Sequence, residues 1–591
     1  MMSTSILIFT VAYALPLINK QLCSIHFIRL VSMVLLLSGL LSFNTLYLQS
    51  IGTGIGIYSG LFHITNIGGT MEFFLLMIGS IILIGWPLKI SEYSIDYSLI
   101  ILFSILGSSL LISSSDLISF YLSLELQSFG LYILATLYRN SESSTNAGLK
   151  YFLLGGLSSC IILLGTGIIY AYTGVTSLES LYLLLTTSNL LYVLLGSYFG
   201  LVLIIIGLLF KISAAPLHNW SPDVYDETPT IVTIWLTIVP KISLLIFLLE
   251  ITLNFLPSNL LMVSSSNISL TEGLGLFSLS SDSLNNYSNI FNGLENIEVL
   301  KNLLLIVSLF SLIIGTVVGL AQIKIKRLLA YSTISHIGFM LLALAINTNQ
   351  SIDSFLFYLI QYILTNLNIF LILLALSYGA VKTINSKIIK DLGLSSSQSG
   401  ASYSTSRDSE KRISPLSINI IDIKYLRDLQ GLFYTNPILS LSLSLSLFSM
   451  AGIPPFIGFF SKQFVLYSAL DSGYYFISFV GIIVSVISAS YYLKIIKLLH
   501  STSQSSPEGL GVTNTAELDN SFNITGNVES ETANPNPSGQ GQIELATQEN
   551  LLSQFHSFLI ALLSLFILLF ILKPTLILNS TQVLSLCLFK F

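Results

Sequence analysis

Charge is what this sequence has least of. Only 9% of its 591 residues are Asp, Glu, Lys or Arg, where soluble domains carry about 25%. That scarcity excludes an ordinary soluble domain. Together with 53% hydrophobic residues and a mean hydropathy of +0.82 it leaves a polytopic membrane protein. The net charge of −5 says little, because the position of each charge matters more than the sum, and no basic face of the kind that binds nucleic acid is visible. Cysteine is nearly absent as well: Cys23, Cys160 and Cys587 have the spacing of neither a metal motif nor a disulfide framework. The six histidines are scattered and form no HxxxH pair, which argues against haem or metal held by this chain. Neither a GxGxxG nor a Walker motif occurs, so no nucleotide site is visible. The N-terminus has no Arg-rich presequence, and no small-residue cleavage site follows the first apolar run, Ile6 to Ile18.

What is abundant is apolar sequence in span-length pieces. Fourteen candidate spans are expected at about 5–19, 27–48, 72–91, 97–115, 117–138, 150–172, 190–213, 229–252, 302–321, 328–347, 353–379, 436–470 (broken), 473–497 and 553–573. Backbone groups in lipid must be satisfied within the segment, so these are helices. Loop charge tests the count: the loops after odd-numbered spans hold 18 of the 24 Lys and Arg. So lopsided a split supports an even number of spans with both termini on the electrically positive side. Polar insertions interrupt the pattern at 256–300, at 387–433, with a short helix expected around Ile418 to Leu432, and at 501–550. The last is rich in Ser, Asn, Gly and Glu, reads as disordered, and contains the sequon Asn523-Ile-Thr, which reads as a chance match.

A few ionisable residues remain at membrane depth, where each costs about 2.5–3.5 kcal/mol on insertion scales. Glu125 lies about 12 Å from either end of its span, with Tyr121, Ser128 and Tyr132 on the same helical face. Lys211 precedes Pro216 in LLFKISAAPLHNWSPDVYDETP; either it snorkels from the end of a span or its helix is broken inside the membrane. Lys241 sits mid-span after Pro240, as a functional cation or a static ion pair. Lys462 follows a second break at Gly452, Pro454 and Pro455, whose freed carbonyls need a cation or water. His336 is a packing residue or a titratable relay. In spans four to eight and nine to thirteen alike, the fourth is interrupted beside a lysine. Similar breaks at matching positions point to a transport site, and five spans per unit makes the second unit inverted.

The stretches FKISAAPLHNWSPDVYDETPT, AYSTISHIGFMLLALA, SLELQSFGLYILA and SMAGIPPFIGFFSKQFVL resemble the antiporter-like subunits of proton-pumping NADH:quinone oxidoreductase, respiratory complex I, over roughly residues 70–500. The resemblance implies an all-α polytopic protein of about 14 transmembrane helices, with two inverted five-helix repeats each containing a broken helix. It implies N-terminal helices at 1–96, repeats at 97–252 and 302–499, a polar insertion at 253–301, a polar loop at 387–433, an acidic loop at 500–552 and a C-terminal helix and tail at 553–591. Glu125, Lys211, Lys241, His336 and Lys462 match the family's proton-translocating positions. NADH, FMN, iron–sulfur clusters and ubiquinone would be held by partner subunits. Other membrane-arm subunits, including neighbouring antiporter-like chains, and membrane lipid would be its surroundings. The location would be the mitochondrial inner membrane, with Lys/Arg-rich loops facing the matrix. A stand-alone cation/proton antiporter and a structural scaffold are the rival readings.

Overall fold

Each apolar run marked out above folds as helix, where described, in the computed structural model, which describes residues 1–15, 24–46, 54–85, 94–187, 191–255, 281–391, 422–501 and 554–588. In order these are α1 (Met2–Ala14), α2 (Ser24–Thr45), α3 (Asn66–Ile84), α4 (Ser94–Ile112), α5 (Leu117–Thr136), α6 (Glu142–Thr173), α7 (Leu178–Thr187), α8 (Leu191–Ile212), α9 (Trp220–Glu227) and α10 (Thr230–Phe255). Then come α11 (Ser281–Leu320), α12 (Ile325–Ile346), α13 (Asn349–Asp391), α14 (Leu432–Thr435), α15 (Pro437–Ala451), α16 (Ile457–Asp471), α17 (Tyr475–His500), α18 (Gln554–Leu569) and α19 (Thr575–Leu588). Among the described residues, 12 helices are long and apolar enough to cross a membrane. The short α1 and the broken pair α15–α16 bring the total to the expected fourteen. Cys23, the sequon at Asn523 and the insertions at 256–280, 392–421 and 502–553 lie outside the described residues.

The ends of the helices have local causes. Leu15, before Pro16, is extended and closes α1, because proline disfavours helical backbone in the residue preceding it. Thr65 caps α3, its side chain accepting from Gly68 N. Asp116, the expected punctuation between spans four and five, stands at the start of α5, and its backbone N–H donates to Ser119 Oγ at 3.3 Å. Three elements were not foreseen: a hairpin pairing Ile55–Ile57 with Phe62–Ile64, the short α7, and α19 beyond the fourteenth span. Two expectations are corrected. Helical backbone of α11 begins at Ser281, inside the expected polar insertion, where Leu284, Tyr287, Phe291 and Leu294 recur at helical spacing amid the Asn and Ser. The short helix expected around Ile418 to Leu432 is, where described, a 3₁₀ turn at Leu426–Leu429 followed by the single turn of α14.

The two five-helix units pack by the same plan. In the first, α4 lies on α5, α6 on α8, and α10 returns against α4. In the second, α11 lies on α12, α13 on the α15–α16 pair, and α17 returns against α11. An odd number of crossings separates the units, so the second is inverted relative to the first. Where they meet, α10 and α12 are buried on almost every side, the condition under which a helix is apolar all round. Lys241 and His336 are therefore carried by the two most enclosed helices of the fold.

Close helix contacts use glycine where backbones meet. A Cβ on Gly165 of α6 would lie 2.7 Å from the Gly200 carbonyl oxygen of α8, and one on Gly200 would lie 2.8 Å from that of Gly165. Two turns of backbone thus touch directly, as small residues allow in membrane helices. Gly167, two residues along α6, faces open space. Gly165→Leu is expected to cost at least about 1–3 kcal/mol and to lower the amount of folded chain, while Gly167→Leu leaves it unchanged; thermal unfolding of the two variants in detergent compares them.

Candidate functional site

The first ionisable pair forms where α8 stops. Ser213 adopts φ +67°, ending the helix two residues after Lys211. The carbonyls left over are taken up locally: Leu209 O accepts from Ala214 N at 3.0 Å, and Phe210 O from Ser213 N at 3.0 Å and from the Trp220 indole at 2.9 Å. Trp220 in turn stacks on Tyr151 of α6, at 4.9 Å between ring centres. The indole thereby ties α9, the continuation of the broken helix, back to its first half. Lys211 Nζ lies 3.6 Å from Glu125 Oε1, with side chains only 9% and 16% exposed. Glu125 stands near the middle of α5, so Lys211, at the end of the 22-residue α8, is turned to an enclosed carboxylate. The snorkelling alternative for Lys211 is thus not what the chain adopts. Glu125 Oε2 accepts from Ser128 Oγ at 3.3 Å, one turn on. At 3.6 Å the pair is in charge contact but not hydrogen-bonded, and neither Glu125 Oε1 nor Lys211 Nζ bonds another described group. A small cleft of about 20 Å³ opens beside it, lined by Lys211, Gln127, Ser128, Tyr132, Trp220 and Pro240.

Lys241 is buried to 2% exposure. Its Nζ donates to Thr333 Oγ1 of α12 at 3.1 Å and to Tyr362 OH of α13 at 3.2 Å. It also lies 5.6 Å from the ring centre of Tyr225, which α9 brings in from the first break. His336 stands one turn after Thr333, and Tyr358 one turn before Tyr362. His336 Nδ1 is 2.7 Å from Tyr358 OH, and Nε2 is 3.3 Å from Tyr492 OH of α17. Lys241 and His336 therefore face successive turns of the same two helices, about 6 Å apart along the axis. A neutral imidazole has one donor and one acceptor, so of the two tyrosine hydroxyls one accepts and the other donates.

Lys462 answers the second break. Its Nζ donates to Met450 O at 2.9 Å and Ala451 O at 3.0 Å, the carbonyls that α15 leaves open at its C-terminal end. Gly452 takes φ +82° there, and a Cβ on it would meet Lys462 Cδ at 3.0 Å and Nζ at 3.3 Å. Only glycine turns the chain and leaves room for the cation. Phe339, one turn beyond His336, sits between the two sites with its ring centre 6.0 Å from Lys462 Nζ. Among the described residues neither Lys241 nor Lys462 is paired with a carboxylate.

The structure thus brings Lys211 to Glu125 and holds Lys241 on Thr333 and Tyr362, one turn along α12 and α13 from His336 and Tyr358; Lys462 stands beyond Phe339. Thr333, Tyr225, Tyr358, Tyr362 and Tyr492 carry these contacts and were not singled out from sequence. The signal available was weak. The eleventh span holds Tyr358, Gln361, Tyr362, Thr365, Asn366 and Asn368 in an otherwise apolar run, but tyrosine alone reads equally well as packing. Gln127 and Ser243 were also missed; Gln127 Nε2 donates to Ser243 Oγ at 2.9 Å and joins α5 to α10. Among the described residues no three His, Cys, Asp or Glu side chains gather as a metal site requires.

Comparison with known proteins follows the same lines. Residues 114–290, 283–396 and 413–488 match the transmembrane family described as NADH:quinone oxidoreductase/Mrp antiporter. NADH-ubiquinone oxidoreductase chain 2 of Rhizopus oryzae is 43% identical, over 98% of this chain and 99% of the relative. NADH-quinone oxidoreductase subunit N of Pelagibacter ubique is 34% identical, over 79% and 81%. The fold is shared with a chain of respiratory complex I from Thermus thermophilus, at TM-score 0.63 and 22% identity over 98% of this chain and 99% of that one. It is shared also with a chain of the Mrp complex from Dietzia sp., at TM-score 0.64 and 17% identity over 98% and 96%. By sequence over nearly its whole length, and by fold, the chain belongs to the NADH:quinone oxidoreductase/Mrp antiporter family of membrane proteins.

Proposed function

We infer that the chain is a proton-translocating membrane subunit of NADH:ubiquinone oxidoreductase, and that Glu125, Lys211, Lys241, His336 and Lys462 carry its protons. The observation that supports this most is the enclosure of Lys241 and Lys462, held by hydroxyls and carbonyls rather than by a counter-ion. A static ion pair would have supplied the carboxylate. A cation answered only by dipoles gives up and regains its proton as its surroundings change, whereas one locked to an acid does not.

The proposed sequence starts at Glu125 and Lys211. A carboxylate 3.6 Å away and not hydrogen-bonded to the amine is free to approach and withdraw. Near, it favours the ammonium; withdrawn, it leaves a desolvated charge that sheds its proton into the adjacent cleft. Lys241 takes the proton up beside Tyr225 and Pro240, passes it through Thr333, Tyr362 and Tyr358 to His336, and Lys462 delivers it to the opposite side. Each charge moved against the membrane potential needs about 2.3 kcal/mol per 100 mV. That work reaches this chain from electron transfer in partner subunits, which we assign NADH, FMN, the iron–sulfur clusters and ubiquinone. We place the chain in the mitochondrial inner membrane, beside neighbouring antiporter-like chains and lipid, with the Lys/Arg-rich loops toward the matrix. The division into units at 97–252 and 302–499 belongs to the same proposal.

Lys211→Met and Glu125→Gln are expected to leave the complex assembled and to lower NADH-driven proton transfer about tenfold or more, as loss of a positioned proton carrier does. Normal protons per NADH in an assembled Lys211→Met enzyme contradicts the proposal. Tyr358→Phe removes one hydroxyl from His336 without changing volume; turnover at saturating NADH and quinone is expected to fall while KM for both stays constant. Ion exchange by the purified chain alone, with no redox partner, would favour the stand-alone antiporter instead.

A further inference from the structure

One carboxylate of the segment that precedes α14, Asp422, bonds the first turns of two helices of the fold. The chain comes back over the start of α12 as a short bridge, Ile325 N donating to Lys424 O at 3.1 Å and Leu426 N to Ile323 O at 3.1 Å. That pairing delivers Asp422 to the gap between the first turns of α10 and α12. Asp422 Oδ2 accepts from Thr230 N at 3.1 Å and from Lys326 Nζ at 2.7 Å, and Oδ1 accepts from Thr230 Oγ1 at 3.0 Å. Lys326 donates also to Thr228 O at 2.8 Å, and its side chain is only 4% exposed. Thr230 begins the helix of Lys241, and Lys326 lies in the first turn of the helix of Thr333 and His336.

We propose that Asp422 is a positioning residue that fixes α10 against α12 and so sets the contact of Lys241 with Thr333. The lever arms are short. Lys241 lies eleven residues below Thr230, about 16 Å, and Thr333 seven below Lys326, about 10 Å. Over that reach both segments are helical, with Pro240 the residue before Lys241, and a slide at their first turns is transmitted to the 3.1 Å contact. The neighbouring pairs join the same elements less directly: Arg327 meets Asp223 of α9, and Lys324 Nζ lies 2.7 Å from Asp226. Lys324, Arg327 and Asp223 are about a third exposed, and screening weakens their pairs. Asp422 bonds the first turns of both helices at once.

This inference rests on the proton path proposed above, and the test separates the two. Protons per NADH are measured in membrane vesicles holding the assembled complex. Asp422→Asn keeps an acceptor for Thr230 but gives up the ion pair; the ratio is expected to fall about twofold or more, as small misplacements of a reacting group do. Asp422→Glu is expected to restore it. A purely structural tie changes the amount of complex but not the ratio, so an unchanged ratio in assembled Asp422→Asn overturns the proposal. Should that variant not assemble, Lys326→Met is read in its place: a lowered ratio supports the clamp, while an unchanged ratio, or failure of both to assemble, overturns it. Lys241→Met is run beside them. A normal ratio there defeats the proton path itself, whereas a normal ratio in the Asp422 and Lys326 variants alone defeats only the clamp.

Discussion

A lysine in hydrocarbon must be answered from inside the protein, and three such lysines organise this fold. Each has a different answer. Lys211 has a carboxylate in charge contact, Lys241 has two hydroxyls and two aromatic faces, and Lys462 has two open carbonyls. The cost of an ionisable group at membrane depth is a few kcal/mol even on lenient scales. A chain with 9% charged residues that still keeps three cations there is built around them. The burial of α10 and α12 on almost every side follows, since only the middle of the molecule excludes lipid from such groups.

The helix breaks belong to the same constraint. Interrupting a membrane helix exposes carbonyls that water cannot reach, so the fold must supply donors. At the first break the donors are backbone N–H groups and the Trp220 indole. That frees Lys211 to face Glu125. At the second break the lysine itself is the donor. The two units are therefore alike in plan and different in use: one break presents its cation to an acid, the other ties its cation to backbone dipoles. The glycines divide along the same line. Gly165 and Gly200 bring helices into backbone contact, whereas Gly452 makes room for Lys462.

Much of this could be read from sequence, because the membrane enforces simple rules. Apolar length marked the spans and their number, and proline with glycine marked the break between Ala451 and Ile457. Glu125, Lys211, Lys241, His336 and Lys462 stood out because ionisable residues are rare there. What could not be read were the groups that join them. Tyr358 and Tyr362 are amphipathic and common in apolar helices, so neither signals a contact with His336 or Lys241 until α12 and α13 are packed together. Asp422 lay in a loop that looked like filler, since nothing in Ser-rich sequence foretells that one acid returns 192 residues along the chain to Thr230. The start of α11 was misplaced for a related reason: an Asn- and Ser-rich stretch hides a helical repeat that only its sparse Leu and Phe reveal.

Proton carriers are of no use unless the proton can pass between them, and the Phe339 ring, its centre 6.0 Å from Lys462 Nζ, stands in the interval between His336 and Lys462. The most direct measurement is a cryo-EM map of the complex in lipid during turnover, at a resolution that shows ordered water. The account predicts water joining Glu125 and Lys211 to Lys241, and His336 to Lys462 past the Phe339 ring, in at least one turnover state. A dry, closed apolar barrier around Phe339 in every state would contradict it.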